Sequence, residues 1–425
     1  MFQLAHYLTK SFLASILAGI VFAFNTNSLY QAAHPTLLSV WCFPWVTLYF
    51  MQAVRENRIK WAVVTAVFIF LGAATSTLLI ILLAMWLAFL IIYMFMASGW
   101  TSPPWRILLT VAGVSGLLIL PLVYPLLREA ILNHNDSYLI SGYLTFSSDI
   151  LTLFIPHWLY WTTRGVYLGI VSTALALLAF LYQRPQARLW FLLAITAFLF
   201  MIGPDPTFAG RTLGITLPWS AAIAPLLRSM YRVSILMAFA WAMIVAYGWL
   251  ALAPRLKTEK GRYLTAIIAI LAIYIEFTIS TTHATPVRVS TFYSQYLDDV
   301  PDDIALAILP TGRQVDKLHL YYQTIHGHKM TGGVVSRTSP STFHFIYNNP
   351  LLRAGATDLE PVPIPTDVTS ALADLAAHHV GFLVLHKRLL DDVDTWRAKI
   401  PNEPIFEDGL LLVYSTGLPI PSLVE

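Results

Sequence analysis

The sequence predicts a membrane α-helical bundle of about nine spans, followed by a C-terminal soluble α/β domain. Three observations carry this. Of 425 residues, 57% are hydrophobic and only 12% charged, against about 25% charged in an average soluble protein. Charge is also segregated, since sixteen of the twenty-six Lys and Arg but only seven of the twenty-three Asp and Glu precede His283. From about Thr285 the long apolar runs give way to short ones separated by Pro, Gly and Asp. Residues 1–284 are therefore assigned to the membrane and 285–425 to a domain outside it.

The net charge of +3 comes without any lysine- or arginine-rich run, which excludes nucleic acid as a partner and leaves the basic residues as loop signals. The single cysteine, Cys42, lies in an apolar run. No intrachain disulfide can form, and a metal would have to be held by His and carboxylates. The N-terminus lacks a basic region followed by a small-residue cleavage site, so no removable signal peptide is expected.

A spanning helix needs roughly 20 mostly apolar residues. Candidates lie near 8–24, 36–54, 107–127, 166–182, 188–203, 233–252 and 263–280. Between them Trp61 to Met96 forms one apolar run, which as a single helix would be about 54 Å long against a hydrocarbon core of about 30 Å. The polar cluster Ala74 to Thr77 is the expected break, giving spans near 61–75 and 78–96. With that break, Lys10, Arg55, Arg58, Lys60, Arg106, Arg184, Arg188, Arg255, Lys257, Lys260 and Arg262 fall on one side, and Arg128, Arg164, Arg211, Arg228 and Arg232 on the other. The richer side is cytoplasmic by the positive-inside rule. The expectation is a multi-pass cell-membrane protein with a cytoplasmic N-terminus and an extracytoplasmic C-terminal domain. The long outer loops 128–164 and 204–232 are aromatic-rich and amphipathic, as interfacial helices are. They either roof an outer cavity or pack over helix ends.

In the C-terminal domain, "IALAILP" and "VGFLVLHK" read as strands, and "TDVTSALADLAAHH" as a helix capped by Thr366 or Asp367. "PIFEDGLLLVYS" reads as a hairpin turning at Asp408-Gly409. "LYYQTIHGHKM" shows strand-like alternation up to Ile325, after which Gly327 and Gly332-Gly333 supply flexible backbone. On such a strand His326 and His328 would share a face. Zinc would need a third or fourth ligand, from His319 or His344. The other readings are a rim where Lys329 and Arg337 meet an anionic group, and a structural bend.

"SFLASILAGIVFAFNTNSLYQAAHPTLLSVWCFPWVTLYF", "GPDPTFAGRTLGITLPWSAAIAPLLRSMYRVS", "QTIHGHKMTGGVVSR" and "HHVGFLVLHKRLL" resemble blocks of large bacterial polytopic proteins related to GT-C-type glycosyltransferases and the YfhO-like group. The resemblance covers nearly the whole chain. It implies a GT-C-like bundle and transfer of a sugar from a polyprenyl-phosphate carrier to a glycan or lipid acceptor on the outer face. It also implies an acidic residue on the first outer loop, acting as general base or helping to hold a divalent metal ion. No Asp or Glu precedes Glu56, so a leading helix and acidic loop are expected to be missing. The runner-up is a non-catalytic membrane protein that binds lipid-linked glycan or supports cell-envelope assembly.

The candidate acid/base residues are the outer carboxylates Asp149, Asp205 and Glu276. Asp149 is equally suited to cap a helix, Asp205 sits in the turn "GPDPTF", and Glu276 is an ionisable residue near a span end. Arg211, Arg228 and Arg232 form an outer trio suited to phosphate; Arg228 and Arg232 are spaced i, i+4 and would share a helix face. His34, His326 and Arg337 complete the candidate anion-binding set, and the residues themselves set out no metal site.

Overall fold

A computed structural model of the protein describes residues 1–30, 38, 40–98, 103–132, 148–156, 166–220, 227, 229–278, 286–312, 315–333 and 343–420. The chain divides into two compact units, residues 1–132 with 142–283, and residues 284–425 with 133–141.

The first unit is helical: α1 (Phe2–Thr9), α2 (Phe12–Phe24), α3 (Thr26–Tyr30), α4 (Cys42–Glu56), α5 (Ile59–Thr75), α6 (Thr77–Ser98), α7 (Trp105–Leu132), α8 (Ile170–Tyr182), α9 (Arg184–Met201), α10 (Ser234–Leu252) and α11 (Glu259–Thr278). Among the described residues, five segments are long and apolar enough to cross a membrane: Phe12–Leu29, Thr77–Ala97, Trp105–Arg128, Met230–Arg255 and Glu259–Thr278. Shorter apolar helices include Ile59–Thr75 and Ile170–Tyr182.

Two breaks follow from local chemistry. The run from Trp61 to Met96 divides at Ser76, whose backbone is extended, as the polar cluster predicted. The first apolar segment also divides, because Lys10 takes a left-handed conformation and the Ser11 hydroxyl accepts the Ala14 N–H at 3.3 Å, starting α2 at Phe12. A span from residue 8 is thereby replaced by a short α1 and the helix that follows it. In the other direction, α9 begins at Arg184 with Pro185 in its first turn and is longer than the expected 188–203.

Helix α10 is the axis of the unit, buried on every side and packed against α2, α8 and α9. A helix apolar all round belongs in the centre of a bundle. Small residues permit its close approach to α8: a Cβ on Gly248 would lie 2.0 Å from the Leu175 carbonyl oxygen. Aromatic packing fills the rest, with buried Trp86 against Trp190 and Phe239 and its indole N–H donated to Thr47 Oγ1 at 2.7 Å.

In the second unit, β3 (Ala305–Leu309), β4 (Val380–His386), β6 (Leu411–Ser415) and β5 (Phe406–Glu407) form one sheet in that spatial order; β1 and β2 belong to a hairpin of the first unit, residues 207–212. β3 and β4 are parallel and the other pairs antiparallel. Helices α12 (Thr291–Ser294), α13 (Asp316–His326), α14 (His344–Asn348), α15 (Pro350–Ala354), α16 (Val368–Ala377) and α17 (Val393–Lys399) accompany it. Both faces are covered. Leu309, Leu383, Leu385 and Tyr414 pack with Leu372 and Trp396 on one face, while Ile308, Phe382 and Val384 pack with Phe292, Tyr293 and Tyr322 on the other. That is why β4 reads as an uninterrupted apolar run.

The two strands, the Asp367-capped helix and the 406–415 hairpin form where the sequence places them; the Asp367 carboxylate accepts the Ser370 N–H at 2.9 Å. "LYYQTIH" does not form a strand. It is the C-terminal part of α13, whose buried Asp316, His319 and Tyr322 recur every third residue on one face. Gly327, at φ 73°, ends the helix.

Candidate functional site

A hydrogen-bonded network of uncharged polar residues and one carboxylate lies at one end of the bundle. After α2, the sequence Asn25-Thr26-Asn27-Ser28 is buried. Asn25 Nδ2 donates to the Phe22 carbonyl at 2.6 Å and to Ser28 Oγ at 3.0 Å, and its Oδ1 accepts the Ser28 N–H at 2.9 Å, which closes the turn into α3. The neighbouring side chains reach across the bundle. Thr26 Oγ1 donates to the Tyr167 carbonyl at 3.0 Å, and Asn27 Oδ1 accepts the Ser234 hydroxyl at 2.7 Å. None of these four residues is an acid, base or arginine, so the search for ionisable groups missed them. The signal available was a run of four polar residues directly behind an apolar helix.

Glu276 joins this network. Its Oε1 accepts the Tyr167 hydroxyl and, at 2.6 Å, the Ile170 N–H, so the carboxylate from α11 lies at the N-terminus of α8. Negative charge is stabilised there by unsatisfied N–H groups and the helix dipole. Gly169 is required between them. Its φ is 83°, and a Cβ would stand 2.8 Å from Ser172 Oγ and 3.1 Å from Glu276 Oε2.

Asp149 has a different setting. It caps the 3₁₀ turn Ile150–Leu153 by accepting the Leu151 N–H at 2.8 Å. The same carboxylate accepts the Ala209 N–H at 3.1 Å and the Gly210 N–H at 2.7 Å. Those two residues, both at positive φ, turn the hairpin between β1 (Thr207–Phe208) and β2 (Arg211–Thr212). Asp149 therefore ties the turn at residues 149–153 to the hairpin at residues 207–212. Asp205 is exposed on its turn and accepts the Thr216 hydroxyl at 3.2 Å.

Of the arginine trio, Arg211 and Arg232 are described. Ser229 is extended and is followed by the 3₁₀ turn Met230–Val233, so a continuous α-helix does not carry Arg232 on the face expected for Arg228. Arg228 itself lies outside the described residues, as do His34 and Arg337. Arg232 Nη1 donates to the Leu227 carbonyl at 2.9 Å, while its buried Nε has no partner among the described residues. Arg211 is exposed on β2.

The histidine pair belongs to the second unit. His328 is buried, and its Nδ1 and Nε2 lie 3.1 Å from the Ile304 carbonyl and 3.2 Å from the Leu297 carbonyl. His326 Nδ1 accepts the His328 N–H at 3.0 Å. Burial, then the neighbouring His328, push the His326 imidazole down to about 4. The glycine pair serves a close approach: Asp316 Oδ2 accepts the Gly333 N–H at 2.8 Å, and a Cβ on Gly332 would lie 2.9 Å from that oxygen. Among the described residues no group of three or more His, Cys, Asp or Glu converges to hold a metal ion.

The class these features define is a largely apolar helical bundle with spans long enough to cross a membrane and a polar network at one end. Two solved structures share the fold. Arabinofuranosyltransferase AftD from Mycobacteria matches with a TM-score of 0.55 at 14% identity, covering 95% of this chain and 31% of that one. Its R1389S mutant matches with a TM-score of 0.52 at 14% identity, covering 95% and 32% respectively. The chain thus spans about a third of the length of these structures. No family model and no curated protein matches the sequence.

Proposed function

We propose that this protein handles a polyprenyl-phosphate-linked sugar at the polar end of its membrane bundle and transfers the sugar to a glycan or lipid acceptor. The observation that carries the reading is the joining of Glu276, Tyr167 and the Asn25–Ser28 turn at one end of a bundle whose fold is shared with AftD. In this reading the chain crosses the membrane nine times from a cytoplasmic N-terminus, and residues 285–425 are extracytoplasmic. Eleven of the membrane unit's basic residues then fall on the cytoplasmic side. Glu276 is the acid/base candidate and Arg232 the phosphate ligand.

A second reading, binding of lipid-linked glycan without transfer, is supported by the carboxylates themselves. Asp149 accepts three backbone N–H groups, and Glu276 accepts one at a helix terminus. The test is a proteoliposome assay with radiolabelled polyprenyl-phosphate sugar. Transfer by the wild type that falls at least about 100-fold in Glu276→Gln supports the enzyme reading. Retention of the carrier with no transfer supports the second, and neither transfer nor retention rejects both.

A further inference from the structure

A cavity of about 440 Å³ opens in the first unit at the end opposite the polar network. That end gathers the basic side chains, with Arg255 over the Tyr182 ring and Arg55 over the Tyr7 ring. The size lies within the range of about 300–1,000 Å³ typical of small-molecule sites. Its polar lining comes from four elements: Arg55 at the end of α4, Tyr93 on α6, Gln186 on α9 and Tyr247 on α10. Leu8, Met51 and Leu189 supply apolar wall.

Among the described lining residues Arg55 alone carries a permanent charge. Among the described residues no carboxylate forms an ion pair with it; its nearest acid in sequence, Glu56, lies 3.7 Å from Arg58 instead. The guanidinium's hydrogen bond is a long one, 3.4 Å to the Tyr7 hydroxyl. A cation without a counter-ion, beside two phenols and an amide and above an apolar wall, matches an amphiphile with one anionic phosphate. The guanidinium fork fits phosphate oxygens. The apolar wall fits the first carbons of an acyl chain, and basic pockets between spanning helices are the usual setting for anionic headgroups.

We propose that this cavity is a binding site for the phosphate headgroup of an anionic phospholipid, separate from the polar end of the bundle. The site needs no sugar and no carrier, so it stands or falls independently of the proposed transfer.

The test is native mass spectrometry of the full chain, delipidated in detergent and titrated with phosphatidylglycerol, phosphatidylcholine or inorganic phosphate. The wild type is expected to bind one phosphatidylglycerol about fivefold more tightly than phosphatidylcholine. Arg55→Gln should abolish that preference. Arg58→Gln should preserve it, because Arg58 is on the same end but does not line the cavity. Ala97→Trp fills the cavity mouth with Arg55 intact and should release the lipid. Equal binding of the two lipids by the wild type overturns the proposal. So does an equal loss in Arg58→Gln, which would indicate a diffuse basic surface. Competition by millimolar inorganic phosphate as effective as phosphatidylglycerol also overturns it, as that would mark a soluble-anion site.

Discussion

Asp149 Oδ2 accepts the Gly210 N–H at 2.7 Å, across sixty-one residues of chain. This bond, with those from Ala209 and Leu151, makes the carboxylate a clamp between two loops. Asp149→Asn replaces one acceptor oxygen with a donor facing an N–H, and is expected to lower the stability of the membrane unit by about 1–3 kcal/mol. Thermal unfolding in detergent, followed by tryptophan fluorescence, measures this. A variant that melts like the wild type would refute the clamp, and if it also lost the proposed sugar transfer it would favour the acid/base role for Asp149.

Gly248 faces the Leu175 carbonyl so closely that a methyl group has no room. Gly248→Ala should force α8 and α10 apart at the centre of the bundle and destabilise it by about 1–3 kcal/mol or more. Gly116, whose Cβ would meet nothing within 4 Å, is the control. Equal melting temperatures for Gly248→Ala and Gly116→Ala would refute the close approach.

In the proposed function Arg232 is the phosphate ligand, through a guanidinium whose buried Nε has no hydrogen-bond partner among the described residues. Arg232→Gln should weaken binding of the polyprenyl-phosphate sugar about tenfold or more while Arg211→Gln, on the exposed hairpin, has a smaller effect. Filter retention of labelled carrier reads the ratio. Unchanged binding in Arg232→Gln removes it from the site.

Two histidines make the second unit sensitive to acid. Burial, then the neighbouring His328 for His326 and His319 for His386, pushes both imidazoles down to about 4. The unfolded imidazole titrates near 6.5, so as pH falls below that value the unfolded chain takes up protons that the folded unit refuses. The stabilisation is complete above about pH 6.5 and is lost progressively toward about pH 4. Hydrogen-exchange protection of β3 and β4 in the full chain, corrected for intrinsic rates, should fall over that interval. His386→Phe keeps a ring stacked against Tyr322, 5.4 Å away in the native pair, and should flatten the profile. A profile equally steep in the variant would assign the acid sensitivity elsewhere.

The features legible in the sequence are those settled within a few residues. Ser76 interrupts an apolar run too long for one span, Asp367 caps the helix behind it, and Asp408 closes the hairpin by accepting the N–H groups of Leu410 and Leu411 at 2.7 Å each. Helix α13 was misread because alternation up to Ile325 coincides with a three-residue spacing of Asp316, His319 and Tyr322. Only the sheet they pack on distinguishes the two. The arginine spacing was legible, but the extended Ser229 between the two positions was not.

By itself the sequence determined that the chain is a membrane bundle with a differently composed C-terminal part, because hydropathy and charge act along the chain and need no partner. The tertiary structure alone decided which polar groups meet. Asn27 finds Ser234 two hundred and seven residues away, and Tyr167 finds Glu276 at a separation of one hundred and nine. Such pairs form because a polar group shut inside an apolar bundle must be satisfied by whatever donor or acceptor the packing brings to it.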